Sequence, residues 1–164
     1  SIYQGLNDIP LNSTGLQQAR ERAKKLCIKN NLEIFTSPLQ RARQTAEIIN
    51  QENGGHLKII EIPNFVECQS EEVARYLFKK KGSKKLPSFE MVNNFIETKE
   101  QFFKRVENGI YEVFDLSEDS EPIIVAHGGV CTAISLILNT EILKTPNCSV
   151  IHFKYHNKNY RTEL

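Results

Sequence analysis

The sequence predicts an α/β fold of three layers, α/β/α, with a mostly parallel sheet and a late antiparallel edge strand. Three observations point there. Short β-rich apolar runs recur along the chain (Leu32, Ile34 and Phe35; HLKIIEIP; Ile123, Ile124 and Val125), and two of them lead through a tight turn into apolar residues at helical spacing. Crossovers between such strands are short and right-handed, so the carboxyl ends of the strands gather on one rim of the sheet. Finally, 164 residues, 40% of them hydrophobic, suffice for one core of this kind, and no tandem repeat, linker or low-complexity stretch divides them. A single domain over residues 1–164 follows.

Charge and composition narrow the functional classes. A net charge of +1 with 25% charged residues gives no overall field for nucleic acid or an anionic membrane surface. No apolar run reaches the length of a membrane span, and the opening SIYQGLNDIP lacks the charged and apolar blocks of a signal peptide. Cys27, Cys68, Cys131 and Cys148 form no CxxC pair and have no histidine at zinc-finger spacing. Reduced thiols in a cytoplasmic protein are expected rather than disulfides or zinc, with Cys131 packing as a small hydrophobe.

Taken in order, SIYQGLNDIPLNSTG is turn-rich, since Gly5, Asn7, Asp8, Pro10, Asn12 and Ser13 all disfavour regular structure. A helix begins near Thr14, capped by Ser13 or Thr14, with Leu16, Ala19, Ala23 and Leu26 on its apolar face. In LEIFTSPLQRARQTAEIINQ a short strand ends at Ser37, a possible cap, and Pro38 suits the first helical turn. Leu39, Ala42, Ala46 and Ile49 form the buried stripe of that helix. Its first turn carries Arg41 towards the strand's carboxyl end, either as a ligand residue or as a solvated arginine, while Arg43 points elsewhere.

HLKIIEIP supplies the third strand, ended by Pro63, and Glu67 falls just beyond it, as a proton donor or a solvated carboxylate. A short helix around Val73 and Leu77 follows. The basic run from Lys79 to Lys85 then crosses the edge of the sheet, either as a solvated loop or as a lid over an anion. Lys99 to about Leu116 is helical, with Phe102, Val106, Ile110, Val113 and Phe114 inward. Val150 to Tyr155 alternates like a late strand, and Tyr160 to Leu164 can pair with it across HNKN.

The chain is organised around EPIIVAHGGVCTAISLIL, from Glu121 to Leu138. Ile123 to Val125 read as a strand buried on both faces, His127 ends it, and Val130, Ala133, Ile134, Ile137 and Leu138 recur at helical spacing behind Gly128 and Gly129. His127 thus stands at a strand's carboxyl end beside a helix N-terminus, where free N–H groups and the helix dipole favour an anion such as phosphate. From the segment alone it could equally hydrogen-bond the turn. His56, His152 and His156 have no partners that suggest chemistry.

Together these segments resemble the histidine phosphatase superfamily, the phosphoglycerate mutase-like proteins. QGLNDIPLNSTGLQQA resembles the family's Q-G-x-x-D-x-P-L-T-x-x-G-x-x-Q-A, with Asn12 where threonine is commoner. TSPLQRARQTAEII is similar to its S-x-L-x-R-A-x-Q-T-A helix, VAHGGV to its second histidine motif, NFVECQS to its L-x-E segment, and PNCSV to the stretch before a late strand. The resemblance implies the phosphoglycerate mutase-like fold and a phosphomonoester hydrolase that works through a phosphohistidine on a small phosphorylated metabolite, without a metal or other cofactor. By motif, Arg41 would bind the transferring phosphoryl group and His127 would neutralise its developing charge, with the Gly128 N–H nearby. Glu67 would protonate the leaving oxygen, and Gln4 and Gly5 would line the substrate side. The family's R-H-G-[EQ]-[ST] motif, source of the nucleophilic histidine and of the first strand, belongs ahead of Gln4 and has no counterpart in the residues given, so these residues alone are expected not to turn substrate over. The alternatives are a cofactor-dependent phosphoglycerate mutase, disfavoured by the short interval from Glu67 to His127, and a non-catalytic member that binds phosphate or a partner.

Overall fold

The computed structural model describes residues 2–26, 33–82, 88–89, 97–117, 122–140 and 146–151. In chain order the elements are β1 (Ile2–Tyr3), α1 (Ser13–Ala23), β2 (Glu33–Thr36), α2 (Gln40–Glu52), β3 (Lys58–Glu61), a 3-10 turn (Pro63–Phe65), α3 (Glu71–Lys80), β4 (Ser88–Phe89), α4 (Lys99–Leu116), β5 (Ile123–Val125) and α5 (Gly128–Ile137). Strand β2 lies between β3 and β5 and is parallel to both, with Ile34 opposite Ile59 on one side and Ile123 on the other. Strands β1 and β4 form a separate parallel pair, so the turn-rich opening does contain two residues of strand.

Side chains of a strand alternate between faces, and β2 divides the core accordingly. Ile34 joins Ala19, Ala23, Ala42, Ala46, Ile49 and Leu57 on the side of α1 and α2. Phe35 joins Phe65, Phe102, Val106, Val113, Val130 and Ile134 on the side of α3, α4 and α5. These are the three layers expected. Full burial of Phe35, Phe65 or Phe102 is worth about 1.5–3 kcal/mol each. The small residues on α1 and α2 let those two helices approach each other closely.

Helix starts differ from expectation in instructive ways. Asn12, not Ser13 or Thr14, caps α1: its Oδ1 accepts from Gly15 N at 2.9 Å, and Ser13 is already helical. Helix α2 begins at Gln40, and Ser37 is not its cap, because the extended backbone of Leu39 intervenes. Helix α3 is capped by Ser70 and carries Glu71 and Glu72 in its first turn and Lys79 and Lys80 in its last, matching the dipole at both ends. A reciprocal capping box of Thr98 and Gln101 starts α4. Ile123 and Ile124 are half-buried, in contrast to the strand buried on both faces that the apolar run suggested. Among the described residues β5 has a strand neighbour only on its β2 side. The hairpin expected at the end of the chain lies outside the described residues from residue 152 onward.

Candidate active site

The opening loop and the first turn of α2 are tied together by hydrogen bonds. Asp8 Oδ1 accepts from Gln40 N at 2.6 Å, and so serves the free N-terminus of α2 in place of a local cap. Its carboxyl is held below the usual carboxylate range chiefly by that backbone N–H. Leu11 N donates to Gln44 Oε1 at 2.7 Å. Between these anchors Arg41 extends its guanidinium across the loop, donating from Nη1 to Asn7 O at 2.6 Å and from Nη2 to Gly5 O at 2.8 Å. Gly5 turns the loop at φ +49°, a left-handed conformation that a side chain would strain. A Cβ there would also meet Gln69 Oε1 at 2.9 Å. Gln4 is exposed on the same loop, its carbonyl accepting from Asn7 N. Arg43, two residues further along α2, points to the surface, where it meets Glu61.

His127 is the N-cap residue of α5 and is buried, at 7% exposure. Its Nε2 lies 2.8 Å from Ser37 Oγ, across the carboxyl ends of β2 and β5. Burial pushes its pKa down to about 3, helped by the charges of Arg41 and then Arg105, so the imidazole is neutral at pH 7. Ser37 also accepts from Leu39 N, which fixes its hydroxyl at the end of β2.

Glu67 is buried as well, beyond the end of β3. One carboxylate oxygen accepts from Cys68 N at 2.9 Å and the other from Gly129 N at 3.1 Å. It therefore occupies the positive end of the α5 dipole. Gly129 is required by this approach, because a Cβ would collide with the carboxylate. Lys81, at the end of α3, donates to Gly128 O at 2.7 Å, and its pKa is lowered by burial. Between Glu67, Lys81 and the Gly128–Gly129 turn lies a cavity of about 110 Å³ with Tyr3, Leu77 and Phe78 as apolar walls.

Arg41, Glu67 and His127 thus sit past the ends of β2, β3 and β5, on one rim, and within electrostatic reach of each other: Arg41 acts on His127, and Glu67 on Arg41. Gly5 is brought to this rim through its carbonyl. The polar groups here satisfy one another, the Arg41 fork by two loop carbonyls and the first turn of α5 by Glu67. Sequence reasoning missed three contributors. Ser37 read as a helix cap and is instead the partner of His127. Arg105 and Glu97 lie on and just before α4, where only the apolar stripe drew notice, yet they form a bidentate ion pair behind the Glu67 loop, with Glu97 buried and Arg105 half-buried. A basic residue close to the inward face of an amphipathic helix, eight residues after a glutamate, was the available signal. Among the described residues no cluster of side chains is suited to hold a metal ion, and no helix is long and apolar enough to cross a membrane.

The fold and site define a parallel α/β protein whose strand ends gather a buried histidine, an arginine fork and a carboxylate at a helix N-terminus on one rim. Residues 1–164 match the profile of the histidine phosphatase superfamily (branch 1), and the chain belongs to that family. It is 37% identical over 131 residues to a Bacillus subtilis (strain 168) protein named Uncharacterized phosphatase PhoE, an alignment covering 80% of this chain and 65% of that one. It is 29% identical over 171 residues to the Probable phosphoglycerate mutase GpmB of Photorhabdus laumondii, covering 94% of this chain and 77% of the relative. The fold superposes on the crystal structure of phosphoglycerate mutase from Bacillus anthracis with a TM-score of 0.65 at 19% identity, over 84% of this chain and 72% of that one.

Proposed function

We propose that the protein is a phosphomonoester hydrolase that acts on a small phosphorylated metabolite through a phosphohistidine. The observation that carries this is the convergence of Arg41, His127 and Glu67 on one rim of a parallel sheet, each at the position that the family motif assigns to phosphate chemistry. The phosphatase name of the Bacillus subtilis relative supports hydrolysis.

In this proposal the phosphoryl group passes from the ester oxygen to the histidine of an R-H-G segment ahead of Gln4, and Glu67 gives a proton to the oxygen that leaves. Water then attacks phosphorus, gives its proton to the Glu67 carboxylate, and releases inorganic phosphate and free histidine. Phosphoryl transfer asks little of a protein beyond alignment and neutralisation of the equatorial oxygens. Arg41 would turn its fork from the Gly5 and Asn7 carbonyls to two of those oxygens, a bidentate contact for which guanidinium is shaped. His127, neutral while the site is empty, would take a proton as the dianion arrives, because the added negative charge favours the imidazolium. Gly128, Gln4 and Gly5 would complete the pocket, and the free thiols of Cys68, Cys131 and Cys148 accord with a cytoplasmic location.

The test is a panel of phosphorylated metabolites offered to the full-length protein with chelator present. Phosphate release from at least one of them, with Arg41→Ala and His127→Ala each reducing turnover by about 100-fold or more, is the expected result. Binding of inorganic phosphate without turnover on any ester would leave a non-catalytic member instead.

A further inference from the structure

Behind the Glu67 loop lies a guanidinium that the chemistry above does not use. All five N–H groups of Arg105 are engaged. Nε and one N–H of Nη2 form a bidentate pair with Glu97 at 2.8 Å each. Nη1 donates to Asn64 O and Val66 O, both at 2.8 Å, and Nη2 donates to Glu67 O at 3.3 Å. Three carbonyls within four residues of chain are therefore pinned to one rigid plane, which itself lies over the Phe102 ring at 4.7 Å. Glu97 extends the clamp, since its Oε1 also accepts from Gln69 N, and Gln69 Oε1 accepts from Leu6 N in the opening loop. The side chains of Arg105 and Glu97 are 19% and 5% exposed, so the carboxylate is buried and the guanidinium largely covered. A surface arginine that merely balances charge has no such set of partners.

We propose that Arg105 is a positioning residue for the phosphoryl-transfer step: by pinning the Asn64, Val66 and Glu67 carbonyls against Glu97, it sets the height and direction of the Glu67 carboxyl at the mouth of α5. This rests on the assignment of Glu67 as the acid. The geometry gives it physical content. A carboxyl that must meet the leaving oxygen within hydrogen-bond distance tolerates little displacement, and the restrained backbone of residues 64–67 sets where the Cys68 and Gly129 N–H groups can hold it. Lysine at position 105 would keep the charge but could not span Glu97 and three carbonyls, so the loop would relax.

The experiment compares Arg105→Lys, Glu97→Gln, Glu67→Gln and the double variant Glu67→Gln/Arg105→Lys in the full-length protein, each on an alkyl phosphate and on nitrophenyl phosphate. A poor leaving group needs the proton and a good one does not. Expected for Glu67→Gln is a loss in kcat of about 100-fold on the alkyl ester with nitrophenyl phosphate largely spared. Arg105→Lys and Glu97→Gln should lose about 10-fold in kcat on the alkyl ester alone, with KM for both substrates unchanged. The double variant should be no slower on the alkyl ester than Glu67→Gln, because a misplaced acid that is already absent costs nothing more. Equal losses on both substrates for Arg105→Lys and Glu97→Gln, or additive losses in the double variant, overturn the positioning role while the acid assignment stands. Equal losses on both substrates for Glu67→Gln overturn the acid assignment itself, and the positioning role with it. Should Arg105→Lys fail to fold, Glu97→Gln alone decides by the same comparison.

Discussion

The neutral, buried His127 makes folding stability depend on pH in a direction and size that follow from its surroundings. Its pKa is about 3 in the folded chain, against an ordinary value of 6.5. Between those limits the unfolded chain holds one more proton at this residue than the folded one, so stability is full above pH 6.5 and falls as pH drops towards 3. The limiting slope is about 1.4 kcal/mol per pH unit, so moving from pH 7 to pH 4.5 removes roughly 2–3 kcal/mol through this residue alone. Other groups titrate over the same range and must be subtracted. His127→Gln does this, since it keeps a group able to hydrogen-bond Ser37 Oγ but cannot titrate. Urea unfolding of both proteins at pH 7 and pH 4.5 gives the difference of differences. The wild type should lose roughly 2–3 kcal/mol more than the variant over that interval. Parallel pH dependences would refute the burial of a neutral imidazole at this rim, and with it the picture of a histidine that is protonated only when an anion arrives.

Arg41→Lys, which keeps charge but loses the fork, should weaken binding of phosphate or vanadate by about 10-fold or more in a titration, and should loosen the Gly5–Asn7 loop that the fork now holds. Gly109→Ala would stabilise a free helix by nearly 1 kcal/mol, but in α4 its Cβ would lie 2.6 Å from Phe65 Cε1 and 3.0 Å from Asn64 Cβ, so a net loss of about 1–3 kcal/mol is expected in thermal or urea unfolding. Replacing Lys79, Lys80, Lys84 and Lys85 with serine should lower kcat/KM in the full-length protein at low salt and have little effect at high salt if the run steers anionic substrates. Salt-independent kinetics in both proteins would remove the steering role from these lysines.

Much of this molecule is legible in its sequence, and the parts that are not share a physical cause. The strand–turn–helix units around Phe35 and Val125 announce themselves because buried strands and amphipathic helices have distinct periods, and the end of a strand fixes where Arg41 and His127 can go. The boundaries of α4 fall at Lys99 and Leu116, as the apolar spacing alone suggests. What pattern cannot supply is partnership across long separations in sequence. Asp8 serves the N-terminus of α2 from 32 residues away, Ser37 meets His127 across 90 residues, and Arg105 reaches back to Asn64 across 41. Ser37 looked like a cap because serine after a strand usually is one, and only the pairing of β2 with β5 turns it to the histidine. The half-burial of Ile123 and Ile124 shows the converse, since an apolar run reports what a strand could bury and not what lies beside it.

The mechanism is tested most directly by trapping the phosphorylated enzyme. The full-length protein is mixed with a phosphorylated substrate and stopped within milliseconds without acid, and the site of modification is mapped by mass spectrometry. Ser1 to Leu164 alone is treated in the same way. An acid-labile phosphohistidine in an R-H-G segment of the full-length protein, with none on His56, His127, His152 or His156, is the outcome predicted, because in-line transfer places the nucleophile opposite the leaving group, whereas the role proposed for His127 is to neutralise the equatorial oxygens. A phosphohistidine on His127, or on any histidine of Ser1 to Leu164 alone, would contradict it.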